Sequence, residues 1–159
     1  MRAQDLMTRS PVTCHVNDTL YTAAKQMWDY DCGVVAVVND DGVLTGMITD
    51  RDICMAAYTQ ALPLHSLLVN GAMAKHVVTA RPETSLQQVE ELMASHRIRR
   101  IPIIDDAGKP IGIVSMNDIV LESAQPDSQM TNGAAKVTHT LAAICEHRRS
   151  SEQATQAAS

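Results

Sequence analysis

The chain has 159 residues, a net charge of −5 and 45% apolar residues, which suits one compact domain or two small units sharing a core. The acidic balance and an aromatic content of only 3% argue against a general nucleic-acid-binding protein. Residues 1–5 start no apolar signal region and no apolar run is long enough to cross a bilayer, so we expect a cytoplasmic protein without membrane contact.

One stretch of the chain, Gly46 to Ile53, returns later as Gly112 to Ile119. In each copy a glycine is followed by two apolar residues, a hydroxyl residue, two variable positions, an aspartate and an isoleucine. The two copies are 66 positions apart, and the same offset joins further pairs such as Met7 with Met73 and Leu20 with Leu86. A repeat of this kind predicts a tandem architecture, with a first unit over 3–60, a linker over 61–70 and a second unit over 67–124.

The first unit is predicted to have the element order β-α-β-β-α. Val12 and Thr13 form a short strand, and Asn17 or Asp18 caps a helix whose apolar residues recur at i, i+3, i+4 and i+7. Its remaining elements are a β-branched strand over 34–38, a turn over 39–42, a returning strand over 43–49 and a helix over about 52–59.

The second unit is predicted to repeat this order. Thr84 is expected to cap its first helix, with Gln87 as the capping-box partner. The elements that follow are a strand over 101–104, a turn over 105–108, a strand over 111–115 and a helix over about 117–123. Beyond them we expect a loop over 125–133, a further helix over 134–148 and a disordered tail over 149–159, which is rich in Ser, Ala and Gln.

This plan and these motifs resemble a tandem pair of CBS domains, the modules named after cystathionine β-synthase. The resemblance runs from Met7 to about Ala124 and rests mainly on the glycine-apolar-apolar-Thr/Ser-x-x-Asp stretch that closes each unit. The run from Arg100 to Asp105 adds support, although Ala36 in the first unit stands where Pro102 stands in the second. The resemblance implies an α/β (α+β) fold, with the two units packed as one pseudo-two-fold module, and a stand-alone bacterial protein that forms a homodimer.

The resemblance also implies a ligand that contains adenosine. AMP, ADP or ATP is expected, and S-adenosylmethionine, NAD(H) or a cyclic dinucleotide belongs to the same class. The implied contacts of the first cleft are Thr49, Arg51, Asp52, Val78, Arg99, Arg100, Ile101 and Pro102, and those of the second are Val12, Gly33, Val34, Ser115, Asn117 and Asp118.

The chemistry of the motif supports this assignment. A helix N-terminus offers free N–H groups to a phosphate, the Thr49 hydroxyl can donate to a phosphate oxygen, and the Asp52 carboxylate can accept from the ribose hydroxyls. Arginine matches phosphate with a two-pronged donor, so we expect the cleft containing Arg51, Arg99 and Arg100 to bind nucleotide phosphates better than the other cleft.

Other interpretations of these residues stay open. A Thr/Ser-x-x-Asp stretch is also a capping box, in which the hydroxyl and the carboxylate satisfy the helix end without a ligand. Arg97, Arg99 and Arg100 can instead form a solvated face. The four cysteines contain no C-x-x-C pair and are typical of small core residues, with a redox or metal role as the alternative.

The sequence therefore predicts a regulatory sensor that binds an adenine nucleotide between its two units and signals to an effector protein by a conformational change. The alternative is a structural dimerisation module that binds no ligand. We expect no enzyme, because no nucleophile-base pair and no phosphate-binding G-x-x-x-x-G-K motif is found, and no metal, because His139, Cys145 and His147 do not share one helical face.

Overall fold

The computed structural model describes residues 1–123, so the loop, helix and tail predicted over 125–159 lie outside the described residues. The chain divides into two compact units, residues 1–114 and the residues from 115 onward. The strands are β1 (Thr8–Arg9), β2 (Thr13–His15), β3 (Val34–Val38), β4 (Leu44–Thr49), β5 (Arg100–Ile104) and β6 (Pro110–Ser115). The helices are α1 (Ala3–Leu6), α2 (Leu20–Asp29), α3 (Asp50–Gln60), α4 (Val69–Ala72), α5 (Leu86–His96) and α6 (Met116–Ser123), with a 3₁₀ turn at Leu64–Ser66.

The first repeat builds a three-stranded sheet in the order β2-β3-β4, in which β2 is parallel and β4 antiparallel to the central strand β3. The turn between β3 and β4 has the predicted chemistry. The Asn39 side-chain oxygen accepts hydrogen bonds from the backbone N–H groups of Asp41 and Val43, and Gly42 adopts a positive φ of 75°. The second sheet has the order β1-β6-β5.

Both faces of the first sheet are buried. One face packs against α2 and α3, and its core consists of aliphatic side chains together with Met27 and Cys14. The other face carries Val34, Ala36 and Met47, which pack against Val77 and Ile113 of the second repeat. Because each small repeat covers one face of the other, the two bury more apolar surface together than either could alone.

Each repeat pairs the short segment at its N-terminal end with a strand of the other repeat, and we call these two stretches, around Thr8 and Ala74, the leading segments. Thr8 of the first repeat pairs with Ile113 in β6 of the second, and Ala74 of the second repeat pairs with Met47 in β4 of the first. The Ala74–Met47 pair is closed by two backbone hydrogen bonds of 2.9 and 3.0 Å. The two pairings are related by the offset of 66 residues, so the exchange is reciprocal and follows the repeat in the sequence.

Two glycines make this exchange sterically possible. A Cβ on Gly46 would lie 2.5 Å from the Met73 sulfur and 2.9 Å from the Ala74 carbonyl oxygen. A Cβ on Gly112 would lie 2.3 Å from the sulfur of Met7. The glycine of the repeated motif is therefore required by packing, since the exchanged segment of the other repeat crosses directly over it.

The helix caps differ from the prediction by one residue in each repeat. Thr19 caps α2 by accepting from the Thr22 N–H, and Ser85 caps α5 in a capping box with Gln88. The first helix was predicted to be capped by Asn17 or Asp18 and the second by Thr84. Asp18 and Thr84 accept instead from the N–H groups of His15 and Arg81 and close the preceding turns. The predicted fold class, α/β with two related β-α-β-β-α units, is confirmed, while β1, α1 and α4 were not predicted.

Candidate ligand-binding site

A cavity of about 320 Å³ lies between the two repeats, and we call it the inter-repeat cavity. Its lining comes from the ends of β3 and β4, the first turn of α3, the segment after α4 and the start of β5. The lining residues are Val34, Met47, Thr49, Asp50, Arg51, Asp52, Ala74, His76, Val77, Val78, Ile98, Arg99, Arg100 and Pro102. The cavity thus contains most of the residues predicted for the first cleft.

The Thr49–Asp52 pair forms a capping box at the start of α3. The Thr49 hydroxyl donates to Asp52 Oδ2 at 2.7 Å and accepts from the Asp52 N–H at 3.2 Å, while the Thr49 N–H donates to the same Oδ2 at 2.9 Å. The single hydroxyl proton of Thr49 is therefore already donated. All three bonds use the Thr49 hydroxyl or Asp52 Oδ2, so Asp52 Oδ1 takes no part in the capping box.

Ser115 and Asp118 form the same three bonds at the start of α6, with distances of 2.7, 2.7 and 3.2 Å. The capping interpretation of the motif is thus present in both copies. A ligand and a capping box are compatible at one motif, because an unengaged carboxylate oxygen remains able to accept from a ribose hydroxyl.

Three arginines from both repeats line the inter-repeat cavity. Arg51, Arg99 and Arg100 all line it, whereas Arg97 ends α5 in a left-handed conformation and is not among the lining residues. Two carboxylates, Asp50 and Asp52, also line it. Three guanidinium groups against two carboxylates leave the lining with a net positive charge, which favours an anionic ligand.

One stretch of the cavity lining is an extended segment held at both ends. Ala74 exchanges two backbone hydrogen bonds with Met47, and the Ala80 N–H donates to the Pro102 carbonyl at 3.1 Å. Between these ties, Val77 and Val78 line the cavity, and the buried side chains of Val34 and Pro102 add further apolar surface. An apolar wall of this kind is suited to a flat base.

The other predicted contacts are placed as follows. Val34, which was predicted for the second cleft, lines the inter-repeat cavity, and Ile101 is fully buried in β5 without lining it. Val12 packs against the core of the first repeat. Ser115, Asn117 and Asp118 belong to the compact unit that begins at residue 115, and their assignment to a second cleft stays a prediction.

Sequence reasoning missed several lining residues. Asp50 lies inside the repeated motif, at a position that the pattern treats as variable. His76 belongs to no ligand-spacing pattern in the sequence. Ala74 and Val77 line the cavity on the segment that pairs with β4 of the first repeat, and no local pattern indicates such a pairing. Met47 and Ile98 line it from β4 and from the residues just before β5.

The cysteines of residues 1–123 are free thiols in three different environments. Cys14 is buried, Cys32 is half-buried and Cys54 is exposed. Burial raises the pKa of the Cys14 thiol to about 12, and the nearby charge of Asp18 acts in the same direction. Cys14 is therefore a protonated core residue at neutral pH.

Neither a metal site nor a membrane span is found in the part of the chain that the structure describes. Over residues 1–123, no three His, Cys, Asp or Glu side chains are grouped so that they could hold a metal ion. The helices among these residues are also too short or too polar to cross a bilayer.

Comparison with known proteins identifies the family. A model of the CBS domain matches residues 3–58 and again residues 69–124. The chain belongs to the CBS-domain family. Its two domains form a tandem pair, as the repeat in the sequence predicted.

Relatives of this CBS-domain chain are found among small bacterial proteins and solved CBS structures. The CBS domain-containing protein YhcV of Bacillus subtilis is 36% identical over 132 residues, which is 83% of this chain and 88% of the relative. The CBS domain pair of protein MJ0100, solved in complex with 5′-methylthioadenosine and S-adenosyl-L-methionine, has a TM-score of 0.68 and 28% identity. That match covers 75% of this chain and 92% of the solved domain pair.

Hypoxic Response Protein I, solved with two coordinated zinc ions, is similar to the same extent. Its TM-score is 0.68 and its identity 28%, over 75% of this chain and 96% of that protein. These comparisons show that proteins with this fold hold adenosine derivatives in one case and zinc in another.

Proposed function

We propose that this CBS pair is a regulatory sensor, not an enzyme, that binds an adenine nucleotide of the AMP, ADP or ATP type in the inter-repeat cavity. The observation that carries the proposal is the composition of the cavity, in which Thr49 and Asp52 lie with Arg51, Arg99 and Arg100. Asp52 Oδ1 is the acceptor for the ribose hydroxyls, and the guanidinium groups are the donors for the phosphate.

The size of the cavity supports a single nucleotide as the ligand. A volume of about 320 Å³ lies at the lower end of the range for small-molecule sites, roughly 300–1,000 Å³. Two linked nucleosides, as in NAD(H) or a cyclic dinucleotide, need far more space than one. S-adenosylmethionine fits in size, but its sulfonium cation is disfavoured beside three arginines.

Signalling follows from the position of the cavity. Its walls belong to both repeats, so a bound nucleotide contacts Thr49 and Asp52 on one side and Val78 and Arg100 on the other. A ligand shifts a conformational equilibrium only by the difference between its affinities for the two states. A cavity lined by both repeats provides that difference, and the response would be read by an effector protein that binds the module.

Thermal unfolding with adenosine, AMP, ADP, ATP, S-adenosylmethionine and NADH tests this function. A nucleotide at 100 times its dissociation constant adds about 2.7 kcal/mol of stability and raises the melting temperature by several degrees. Asp52→Ala should abolish the shift and Asp118→Ala should retain it. The two variants lose the same capping bonds, so each is the matched control for the other.

Two other results would change the proposal. If only Asp118→Ala lost the ligand-induced shift of the melting temperature, the nucleotide would be assigned to the other cleft. No shift with any nucleotide at millimolar concentration would overturn the sensor and favour a structural module.

One observation favours that second candidate function, a homodimerisation module. All aromatic residues of the chain, one Trp and three Tyr, lie on or beside α2 and α3. All four are exposed, Trp28 to 86% and Tyr58 to 79%. We call Tyr21, Trp28, Tyr30 and Tyr58 the aromatic surface. The corresponding positions of the second repeat hold Gln87, Ala94, His96 and Ala124.

The aromatic surface suits a second copy of the chain. A groove of about 480 Å³ lies between α2 and α3 beside Trp28, so one face offers both a projecting indole and a recess. A two-fold interface requires such a self-complementary face. Four aromatic side chains contribute roughly 600 Å² of contact, close to the ~800 Å² per partner of a stable interface.

Sedimentation of the ligand-free protein tests the dimer. Trp28→Ser should shift it to the monomer, whereas Ala94→Ser, at the corresponding position of the second repeat, should leave the dimer intact. A wild-type monomer at micromolar concentration would contradict this function.

A further inference from the structure

Asp50 is a charged lining residue of the inter-repeat cavity that neither the capping box nor the proposed nucleotide contacts use. Its side chain is exposed, and its Oδ1 accepts a hydrogen bond of 2.7 Å from the Arg51 N–H in the first turn of α3. Its carboxylate thus lies at the N-terminus of a helix of 11 residues, beside the guanidinium groups of the cavity. A bound phosphate is expected in this same environment.

Gly33 lies close to both this carboxylate and the guanidinium group of Arg100. A Cβ built on Gly33 would be 3.2 Å from Asp50 Oδ2 and 3.6 Å from an Nη atom of Arg100. The acid and the guanidinium therefore approach the same point from two elements, the start of α3 and the start of β5. A carboxylate in the neighbourhood of a guanidinium group reduces the positive potential that an incoming phosphate meets.

The second repeat shows that the carboxylate is not needed to start the helix. Met116 holds the position that corresponds to Asp50, yet Ser115 and Asp118 form the same capping bonds as Thr49 and Asp52. The local fold therefore forms with an apolar side chain at this position. The acid must be explained by what lies around it in the first repeat, and that is the arginine-lined end of the cavity.

We infer that Asp50 is a specificity-determining residue, a fixed negative charge that makes the inter-repeat cavity favour a nucleoside monophosphate over the di- and triphosphate. The inference rests on the proposed function and refines it. Arg51, Arg99 and Arg100 attract the first phosphate group. Each further phosphate adds negative charge next to Asp50, so the repulsion grows with the length of the phosphate chain.

Calorimetric titration of Asp50→Asn with adenosine, AMP, ADP and ATP tests the inference. Asparagine keeps the Oδ1 acceptor for the Arg51 N–H and removes the charge, so the start of α3 is preserved. Adenosine affinity should stay unchanged, AMP should bind about threefold tighter and ATP about tenfold tighter than to the wild type, all at low ionic strength. Raising the salt to 1 M should shrink these gains.

Asp41→Asn is the matched control. Asp41 is an exposed acid in the turn between β3 and β4, outside the cavity lining, and its substitution changes the net charge of the chain by the same amount. This variant should bind all four ligands as the wild type does. A gain for ATP in Asp41→Asn as large as in Asp50→Asn would show that net charge, not Asp50, sets the preference.

The remaining outcomes separate the inference from the proposed function. If Asp50→Asn changed the affinity for all four ligands equally, or not at all, Asp50 would have no role in specificity. The proposed sensor would still stand in that case, provided that the wild type binds a nucleotide. Failure of both the wild type and Asp50→Asn to bind any of the four ligands would overturn the sensor and the inference together.

Discussion

The two repeats carry the same closing motif with the same hydrogen bonds, but they surround it with different side chains. In the first repeat Asp50 and Arg51 separate Thr49 from Asp52, and the corresponding residues of the second are Met116 and Asn117. The hydrogen bonds of Thr/Ser-x-x-Asp thus report only that a helix begins. Whether the motif also serves a ligand depends on the charges around it, and these differ between the copies.

The outer helices differ in the same way. The aromatic surface belongs to the first repeat alone, while α5 of the second presents polar and small residues at the same positions. Duplication explains why the backbones agree. The proposed ligand site and contact surface rest on these differences between the side chains. The predictions below compare equivalent positions of the two repeats.

The largest expected effect concerns the motif glycines. Gly46→Ala should destabilise the protein by about 2–3 kcal/mol, because the new methyl group meets the Ala74 carbonyl, which backbone pairing holds in place. Gly112→Ala should cost only about 1 kcal/mol, because the flexible Met7 side chain can move aside. Urea unfolding measures both.

Gly71→Ala is the control for these variants. Gly71 lies within α4, and a Cβ there would meet no atom within 4 Å. This substitution should be neutral or slightly stabilising, because alanine favours the helix. Equal losses of unfolding free energy in Gly46→Ala and Gly112→Ala would contradict the expected difference between the fixed Ala74 carbonyl and the flexible Met7 side chain.

A smaller effect is expected from the motif aspartates in the absence of ligand. Asp52→Ala and Asp118→Ala should each cost about 1–2 kcal/mol, since each removes the acceptor of two hydrogen bonds at a helix start. Chemical unfolding should give similar losses for the two. A much larger loss for one of them would mean that its carboxylate has a structural role beyond the cap.

The smallest effect concerns Cys14, whose position in the second repeat is held by Ala80. The pKa of the buried thiol is raised from 9.0 to about 12, so folding favours the protonated form. That contribution is complete below pH 9.0 and is lost as the pH rises toward 12. At pH 10 the wild type should therefore have lost about 1 kcal/mol more than Cys14→Ala, relative to pH 7.

Urea midpoints of the two proteins at pH 7 and pH 10 measure this difference. Cys14→Ala is the reference for the wild type, because every other titrating group is common to both proteins. A constant gap between the two midpoints at both pH values would show that the thiol ionises normally in the folded state.

The repeat made much of the fold predictable, because an offset of 66 residues transfers every element from one unit to the other. Strand and turn positions followed from β-branched runs and from Asn39 and Gly42. The helix caps were displaced by one residue because Asp18 and Thr84, good caps in isolation, are used in the turns before them. Residue propensity shows that two neighbouring residues can each cap the helix. It does not show which of the two is already hydrogen-bonded within the preceding turn.

The site was predictable only as far as the motif extends. Thr49, Asp52 and the arginines could be named because the resemblance assigns them a place. His76 and Ala74 could not, since they reach the cavity through a pairing between distant segments that leaves no periodic signal. Asp50 was visible in the sequence, but the motif treats its position as free, and only the structure places it beside Arg100.

The exchanged leading segments bear on how such a chain could arise. A polypeptide containing only the first repeat would keep β1 without the β6 partner and would leave the outer edge of β4 uncovered by Ala74. Unpaired strand edges attract other chains, and two copies of that half could satisfy each other by the same reciprocal crossing. The chain thus has the connectivity of two intertwined half-length chains, with the end of one joined to the start of the next.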